Sequence, residues 1–321
     1  EIGLPTVPGS ESNIKSFSDA KQIARKIGFP IIIKATNGGG GRGIKKVFSE
    51  EDLKDNFVLA KKEAAQSFGN DNVYIEKFIE SPRHIEVQII GDKKGNIIHA
   101  GERECSIQRR SQKIIEECPS PGITDSERKK ICDLTLRAME KIGFYSLGTV
   151  EYLYSQGEFF FIEMNTRLQV EHTITEETYS LDVVKEQINI ASGESLSINQ
   201  KQIVRTGHSI ECRINAENPI TLFPSTGIVK TYHSPGGPGI RIDSSLYTGC
   251  NITSFYDGLL SKIISTGKSR KESIMRLKRA LNEYVIEGVE TNIPLLIDII
   301  NEKDFSDGNF NISWVENTQS S

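Results

Sequence analysis

The sequence lacks several features that would each point to a class of protein. No apolar run approaches the ~18 residues that a membrane span needs, so we expect no membrane-spanning segment. Positive charge is not in excess, because 39 Lys and Arg stand against 43 Asp and Glu, giving a net charge of −4. This balance argues against nucleic acid as the main partner. The five cysteines are scattered without a Cys-x-x-Cys pair, and their odd number is typical of a reducing compartment.

The composition is that of a folded globular chain. Hydrophobic residues make up 37% and charged residues 26% of the 321 positions, a length that suggests two or three domains. The chain begins at Glu1 rather than at a methionine. We therefore expect further sequence upstream, in which any targeting peptide would lie.

The most informative stretch is residues 163–172, which follows the aromatic run 159–162, interpreted as a buried strand. If the extended conformation continues, alternate side chains share a face, because successive residues of a strand point to opposite sides. The polar face would consist of Glu163, Asn165, Arg167, Gln169 and Glu171. The opposite face would be core, made of Ile162, Met164, Leu168 and Val170. The alternative is a half-buried strand with an ordinary solvated face.

A hairpin indicates a metal site. Residues 148–154 and 159–165 are predicted strands joined by the turn 155–158, which places Glu151 and Glu163 roughly opposite each other. Strands lie about 4.8 Å apart, so two carboxylates on one face repel unless a cation lies between them. Oxygen ligands favour Mg²⁺ or Mn²⁺ over zinc. The alternative is a pair of exposed glutamates on an edge hairpin.

The glycine-rich segment 38–43 follows a predicted strand, 31–35, and precedes another, 44–48. A dinucleotide-binding fold needs a helix directly after the glycines, and a Walker A loop needs Lys and Ser or Thr after Gly43, where Ile44 stands. A glycine hairpin whose backbone N–H groups close over phosphates fits better, with Lys34 placed to reach them. A surface turn remains the alternative.

Two further segments carry unusual polarity. Residues 83–90 alternate between polar and apolar side chains, which predicts a strand with one solvated face. Residues 102–113 are very polar for a segment between strands, and they suggest either a solvated loop or a cationic lining for an anionic substrate. Residues 207–217 alternate as a strand, with Arg213 on the face opposite Cys212 and Ile214.

Taken together, these motifs resemble biotin carboxylase, the ATP-grasp component of acetyl-CoA carboxylase and related enzymes. The stretches that carry the resemblance are residues 32–35, 38–43, 76–77, 82–86, 105–110, 163–172 and 211–217. They span almost the whole chain. The resemblance implies an α+β ATP-grasp fold, with a first subdomain over residues 1–80, a second over 81–205 and a C-terminal domain over 206–321. It also implies that the family's N-terminal domain precedes Glu1.

The resemblance implies a role for each matching residue. The ATP contacts would be Lys34, Gly39, Gly40, Gly41, Glu76, Lys77, Ile79, His84 and Gln108. The ligands of two Mg²⁺ or Mn²⁺ ions would be Glu151, Glu163 and Asn165. Bicarbonate would be bound by Lys113, Arg167, Gln169 and the Val170 backbone. Glu171 would be the base that deprotonates bicarbonate, and Arg213 would stabilise the enolate of biotin.

The implied reaction is ATP-dependent carboxylation of biotin through carboxyphosphate, most simply within an acetyl-CoA carboxylase of fatty acid synthesis. The expected partners are a biotin carboxyl carrier protein, carboxyltransferase subunits and a second copy of the chain, in the cytoplasm or in a plastid or mitochondrion. Two residues depart from the common family pattern, Ser111 in place of His and Thr173 in place of Pro. Competing interpretations are another ATP-grasp ligase, such as a carbamoyl-phosphate synthetase, and a non-catalytic truncated subunit.

Overall fold

The computed structural model describes residues 2–37 and 43–319, and these form two compact units of an α+β protein. The smaller unit is Pro5–Pro82 together with Glu158–Phe161, and the larger unit holds the remaining described residues. No helix in these ranges is long and apolar enough to cross a membrane. The division into three domains at 80/81 and 205/206 stays a prediction.

The elements are numbered along the chain. The helices are α1 Phe17–Ile27, α2 Glu50–Phe68, α3 Asp125–Ile142, α4 His172–Tyr179, α5 Val183–Ala191, α6 Arg270–Glu283, α7 Ile293–Asn301, α8 Lys303–Asp307 and α9 Trp314–Gln319. The strands are β1 Ile31–Ala35, β2 Ile44–Val47, β3 Val73–Lys77, β4 Arg83–Gly91, β5 Ile97–Arg109, β6 Gln112–Cys118, β7 Ser146–Ser155, β8 Glu158–Asn165, β9 His208–Asn215, β10 Gly227–Ile228, β11 Thr231–His233, β12 Ile240–Ser244, β13 Asn251–Ile252, β14 Leu259–Gly267 and β15 Val285–Glu287. A short 3-10 helix covers Gln200–Gln202.

The smaller unit packs α1 and α2 on an antiparallel sheet of order β2-β1-β3. Each helix starts at a serine whose hydroxyl accepts from the third backbone N–H, Ser16 for α1 and Ser49 for α2. The helix α2 ends at Gly69 in the left-handed conformation, which glycine adopts without strain. The strands predicted over residues 31–35 and 44–48 are confirmed as β1 and β2. Apolar spacing also predicts a helix over residues 18–28 and another beginning at Ser49, and these are α1 and α2, whose apolar sides lie in the core of this unit.

The larger unit is built on an antiparallel sheet of order β12-β14-β9-β6-β5-β4-β7-β8. One face of its central part packs on α6 and α7 through a core that includes Ile210, Cys212 and Ile214. The short helix α4 lies against β5, β6, β9 and β14. The polar side chains of these strands are therefore enclosed within the protein.

The prediction of a solvated face on residues 83–90 is wrong. His84, Glu86 and Gln88 on β4 are all buried, because β4 is a central strand and its polar side chains pair with groups on neighbouring strands. The polar segment 102–113 is no loop, since it forms the end of β5, a two-residue turn and the start of β6. The loop alternative for this segment is therefore wrong.

The strand before the most informative stretch ends at Asn165, as the hairpin predicted, but it is less buried than predicted. β8 ends at Asn165, and the chain then turns into α4 at His172. β8 is an edge strand, so of its aromatic run only Phe159 is buried and Ile162 is 40% exposed. The extended conformation does not continue to residue 171. The predicted apolar face of Ile162, Met164, Leu168 and Val170 therefore does not form as one strand face.

The C-terminal half contains strands that the sequence analysis missed. β12 and β14 extend the large sheet beyond β9, and β6 pairs directly with β9. The apolar spacing of residues 270–287 predicts one amphipathic helix, but α6 ends earlier, at Glu283, and Val285 begins β15. Thr124 and Glu127 have the spacing of a capping box, which predicts a helix start, and α3 confirms it. Ile142, predicted to face inward at the end of this helix, is exposed.

Candidate active site

Glu171 occupies the centre of the site. It precedes the first residue of α4, and its side chain makes no capping hydrogen bond to that helix. The carboxylate instead lies between two cations, with Oε1 at 2.6 Å from Lys113 Nζ and Oε2 at 2.9 Å from the Arg213 guanidinium. Only 2% of Glu171 is exposed. The turn after β8 thus delivers one carboxylate to a position where positive charge is held on both sides.

Lys113 connects this carboxylate to two others. Its ammonium group lies 2.6 Å from Glu86 and 3.0 Å from Glu151, which are direct neighbours across β4 and β7. Burial raises the pKa of Glu151, but His84 and Lys113 outweigh it and bring that pKa to about 2. Burial lowers the pKa of Lys113, and the surrounding carboxylates, Glu86 foremost, raise it by more. The site therefore holds fixed charges of both signs at neutral pH.

The three predicted metal ligands converge. The amide Nδ2 of Asn165 lies 3.1 Å from Glu151 Oε1 and 3.2 Å from Glu163 Oε1. Two carboxylate oxygens therefore focus on one point, which a donor N–H occupies in this structure. An all-oxygen donor set of two carboxylates and an amide carbonyl is one that Mg²⁺ or Mn²⁺ prefers. The residues present fit such an ion.

Arg103 holds several side chains of the site in position by hydrogen bonds, and the sequence analysis assigned it no role. It is fully buried and donates to Glu86 at 2.5 Å, to Gln88 at 2.6 Å and to Gln169 at 3.2 Å. Burial raises the pKa of Glu86, yet Lys113 and Arg103 together bring it down to about 2. The sequence does contain a signal for a buried Arg103, which lies between Glu102 and Glu104 in a segment flanked by strands. A buried strand tolerates such charges only when they are paired.

Gln169 is oriented by two partners. Its Oε1 accepts from Arg103, and its Nε2 donates to Glu151 at 2.8 Å. Lys113, another predicted bicarbonate ligand, lies close to Gln169, because both side chains donate to the Glu151 carboxylate. Arg167 is exposed and donates to the carbonyl of Leu168. The structure thus brings Lys113 and Gln169 together and leaves Arg167 on the surface.

Arg213 lies among carboxylates on the same sheet. Its guanidinium contacts Glu116 at 2.5 Å, on β6, in addition to Glu171. Glu116 is directly opposite Glu211 across β6 and β9, and both are fully buried with one oxygen lacking a hydrogen-bond partner among the described residues. Burial raises the pKa of Glu116 to about 7 despite Arg213. Burial and the neighbouring Glu116 raise the pKa of Glu211 to about 8.

These raised pKa values predict a loss of stability at alkaline pH. The folded protein holds a proton that the unfolded chain releases near pKa 4.5, so the free energy of unfolding falls as the pH rises towards the folded values of about 7 and about 8. Glu211→Gln keeps the shape but cannot ionise. The melting temperature of both proteins is measured at about pH 6 and about pH 8.5. We expect the fall between these pH values to be smaller in Glu211→Gln than in the wild type, with a difference of about 2 °C or more. Thermal unfolding at both pH values measures this, and equal losses would contradict the raised pKa of Glu211.

His84 and Gln108 form a separate pair beside Glu151. Gln108 Nε2 donates to His84 Nδ1 at 3.1 Å and to the carbonyl of Cys105 at 2.8 Å. The other ring nitrogen of His84 lies 3.2 Å from Glu151 Oε2. Both predicted nucleotide contacts are therefore buried and oriented towards the acidic cluster.

The remaining predicted nucleotide residues belong to the smaller unit. Lys34 Nζ lies 2.5 Å from Glu76 Oε2, between β1 and β3. Lys77 donates to the carbonyls of Gly28 and Phe29, at 3.1 and 2.9 Å. Ile79 is partly buried just after β3. Gly39, Gly40 and Gly41 lie outside the described residues.

Family models match both parts of the chain. The model described as carbamoyl-phosphate synthase L chain, ATP binding domain, matches residues 1–199. The model described as biotin carboxylase C-terminal domain matches residues 211–317. The site described above lies across both matches, with Glu171 in the first and Arg213 in the second.

Individual proteins give the same result. A protein of Pseudomonas aeruginosa named biotin carboxylase is 48% identical over 98% of this chain and 70% of its own length. A pyruvate carboxylase component of Methanothermobacter thermautotrophicus is 49% identical over 98% of this chain and 65% of its own length. The biotin carboxylase domain of the Hydrogenobacter thermophilus 2-oxoglutarate carboxylase, solved with MgADP, ADP and bicarbonate, has a TM-score of 0.90 at 47% identity, over 98% of this chain and 70% of that one. The sequence, the fold and these relatives agree that the chain belongs to the biotin carboxylase family.

Proposed function

We propose that this chain carboxylates biotin held on a carrier protein, using ATP and bicarbonate, with carboxyphosphate as the intermediate. The observation that supports this best is the Glu171 carboxylate held between Lys113 at 2.6 Å and Arg213 at 2.9 Å. A carboxylate in this position can take a proton from an anion that the two cations attract. Lys113 then stabilises the additional negative charge left on that anion.

The first chemical step is the phosphorylation of bicarbonate. Glu171 accepts the bicarbonate proton, and an oxygen of the resulting carbonate forms a bond to the γ-phosphorus of ATP. The bond between that phosphorus and the β–γ bridging oxygen breaks, and ADP leaves with the electron pair. Lys113 and Gln169 hold bicarbonate near Glu171. A divalent ion held by Glu151, Glu163 and Asn165 would supply charge neutralisation for the phosphate groups.

The second step transfers the carboxyl group to biotin. Carboxyphosphate releases CO₂ and phosphate, and the phosphate removes the proton of the biotin ureido nitrogen. Arg213 stabilises the negative charge that develops on the ureido oxygen, and the nitrogen then forms a bond to the carbon of CO₂. Arg213 is suited to this role because it lies on β9, opposite Lys262, next to the carboxylate that serves the first step.

The test is the product formed by the purified protein. We expect phosphate release from ATP to require bicarbonate, and carboxybiotin to form when biotin is added. The same phosphorylation of bicarbonate would serve a carbamoyl-phosphate synthase, whose ATP-binding domain is described by the model matching residues 1–199. Carbamoyl phosphate formed from ammonia, with no carboxybiotin, would favour that second function instead.

A second proposal concerns the molecule that finally accepts the carboxyl group from biotin. We assign the chain to an acetyl-CoA carboxylase, acting as a homodimer with a biotin carrier protein and carboxyltransferase subunits. Several relatives carry the name biotin carboxylase alone, whereas others are named subunits of pyruvate or 2-oxoglutarate carboxylase at similar identity. The native complex, purified and supplied in turn with acetyl-CoA, pyruvate and 2-oxoglutarate, decides among them. Carboxylation of acetyl-CoA alone is the expected result.

The metal assignment gives a further prediction. Glu163→Gln removes one of the two carboxylates that meet at Asn165, so we expect turnover of ATP to fall about 100-fold, as when one preorganised charge-stabilising group is lost. The Mg²⁺ concentration that supports half-maximal activity should rise as well. The matched control is Glu158→Gln, an exposed glutamate at the other end of β8. Unchanged Mg²⁺ dependence in Glu163→Gln would remove that residue from the metal site.

A further inference from the structure

The turn that carries Glu171 is attached to the sheet on both of its sides. Before Glu171, the carbonyl of Val170 accepts a hydrogen bond of 2.7 Å from Lys262 Nζ, on β14. After it, the hydroxyl of Thr173 donates to Glu211 Oε2, on β9. β9 and β14 are neighbouring strands, so one region of the sheet holds both ends of the turn.

These attachments involve buried groups. Thr173 and Glu211 are fully buried, and Lys262 is 8% exposed. The nearest carboxylate oxygens to Lys262 are at 3.7 Å on Asp243 and 3.9 Å on Glu211, so its closest contact is the Val170 carbonyl rather than an acid. A buried ammonium group directed at a backbone carbonyl fixes that peptide, because giving up the bond would leave both groups without a partner.

Other contacts hold the turn as well. Gln169, within it, accepts from Arg103 and donates to Glu151, and Glu171 itself contacts Lys113 and Arg213. The turn lies after the end of β8, outside the strand pairing of the sheet, and α4 begins without a side-chain cap. The contacts of Val170 with Lys262 and of Thr173 with Glu211 add attachments close to Glu171 on either side of it.

We propose that Lys262, Glu211 and Thr173 are positioning residues, which set the distance between the Glu171 carboxylate and the cations Lys113 and Arg213. This role rests on the proposed function, in which Glu171 takes the bicarbonate proton. The charged groups around the turn include Lys262 on β14, Glu211 and Arg213 on β9, Glu116 and Lys113 on β6, Arg103 on β5, Glu151 on β7 and Asp243 on β12. A displacement of about 1 Å in a catalytic group can cost up to about 100-fold in rate.

Thr173→Val tests this proposal. It keeps the shape of the side chain and removes the hydroxyl that binds Glu211. We expect bicarbonate-dependent phosphate release to lose about 10-fold in kcat, since one of the attachments that fix the position of Glu171 is lost. Thr173→Ser restores the hydroxyl and should recover most of the loss. Lys262→Met should lower kcat in the same manner.

The matched control is Thr178→Val. Thr178 is a fully buried threonine at the other end of α4, and its hydroxyl donates to the carbonyl of Cys118 at 3.1 Å. It should lose melting temperature as Thr173→Val does, with kcat unchanged. Wild-type kcat in Thr173→Val, at a melting temperature lowered as in the control, would overturn the proposal.

A second readout separates this proposal from the proposed function. A crystal structure of Thr173→Val should show the Glu171 carboxylate displaced from Lys113 Nζ, which lies 2.6 Å away in the wild type. An unmoved carboxylate would overturn the positioning role whatever the activity. A wild-type protein that releases phosphate without any need for bicarbonate would instead contradict the proposed function.

Discussion

Glu171→Gln should abolish bicarbonate-dependent phosphate release and carboxybiotin formation together, each by about 1,000-fold. The amide keeps the size of the side chain, and its one oxygen can still accept from Lys113 or from Arg213, which lie at 2.6 and 2.9 Å from the two oxygens of the native carboxylate. It cannot accept the bicarbonate proton. Both activities fall because carboxyphosphate is needed for each, and Glu171 acts before it forms.

The experiment measures phosphate and carboxybiotin from the same reaction. The control is Glu177→Gln, on the same helix, whose carboxylate lies 3.3 Å from Arg241 and outside the site. It should retain both activities. If Glu171→Gln keeps bicarbonate-dependent phosphate release within a few-fold of the wild type, Glu171 is not the base.

Arg213→Ala should separate the two steps. Carboxybiotin formation should fall by about 100-fold or more, because the group that stabilises the ureido oxygen is lost. Bicarbonate-dependent phosphate release should fall much less, since Lys113 still contacts Glu171. A loss confined to one step marks a group whose interaction is made in that step's transition state.

Arg270→Ala is the matched control for this separation. Arg213 pairs with Glu116, and Arg270 pairs at 2.7 Å with Glu117, the next residue of the same strand β6. Removing either arginine leaves a buried glutamate without its cation, which costs stability. Only Arg213→Ala should separate carboxylation from phosphate release. Equal losses of both activities in a folded Arg213→Ala would exclude the assigned role.

Local patterns in the sequence predicted much of the fold. Ser49 and Thr124 mark the starts of α2 and α3, because a capping hydroxyl and the first helical turn are neighbours in sequence. The hairpin of β7 and β8 followed from one turn between two alternating segments. The approach of Glu163 to Glu151 was predicted on the same basis, whereas Asn165 was added to them only by the family resemblance.

The features that the sequence did not reveal depend on contacts between residues that are far apart in the chain. The alternation of β4 indicates two different faces, but it cannot show that Arg103 on β5 and Lys113 on β6 pair with the polar one. The roles of Arg103 and Lys262 depend on partners at Gln169 and Val170, which only the folded sheet brings near. Glu171 reaches Lys113 through a turn, whereas the alternation suggested a continuous strand.

In the proposed reaction, bicarbonate itself attacks ATP at the site formed by Lys113, Glu171 and Arg213. The most direct measurement follows the oxygen atoms, with bicarbonate labelled by a heavy oxygen isotope and the released phosphate analysed by mass spectrometry. Attack by bicarbonate predicts that each phosphate carries one labelled oxygen, delivered when carboxyphosphate breaks down. Phosphate that contains oxygen only from ATP and water would contradict the account.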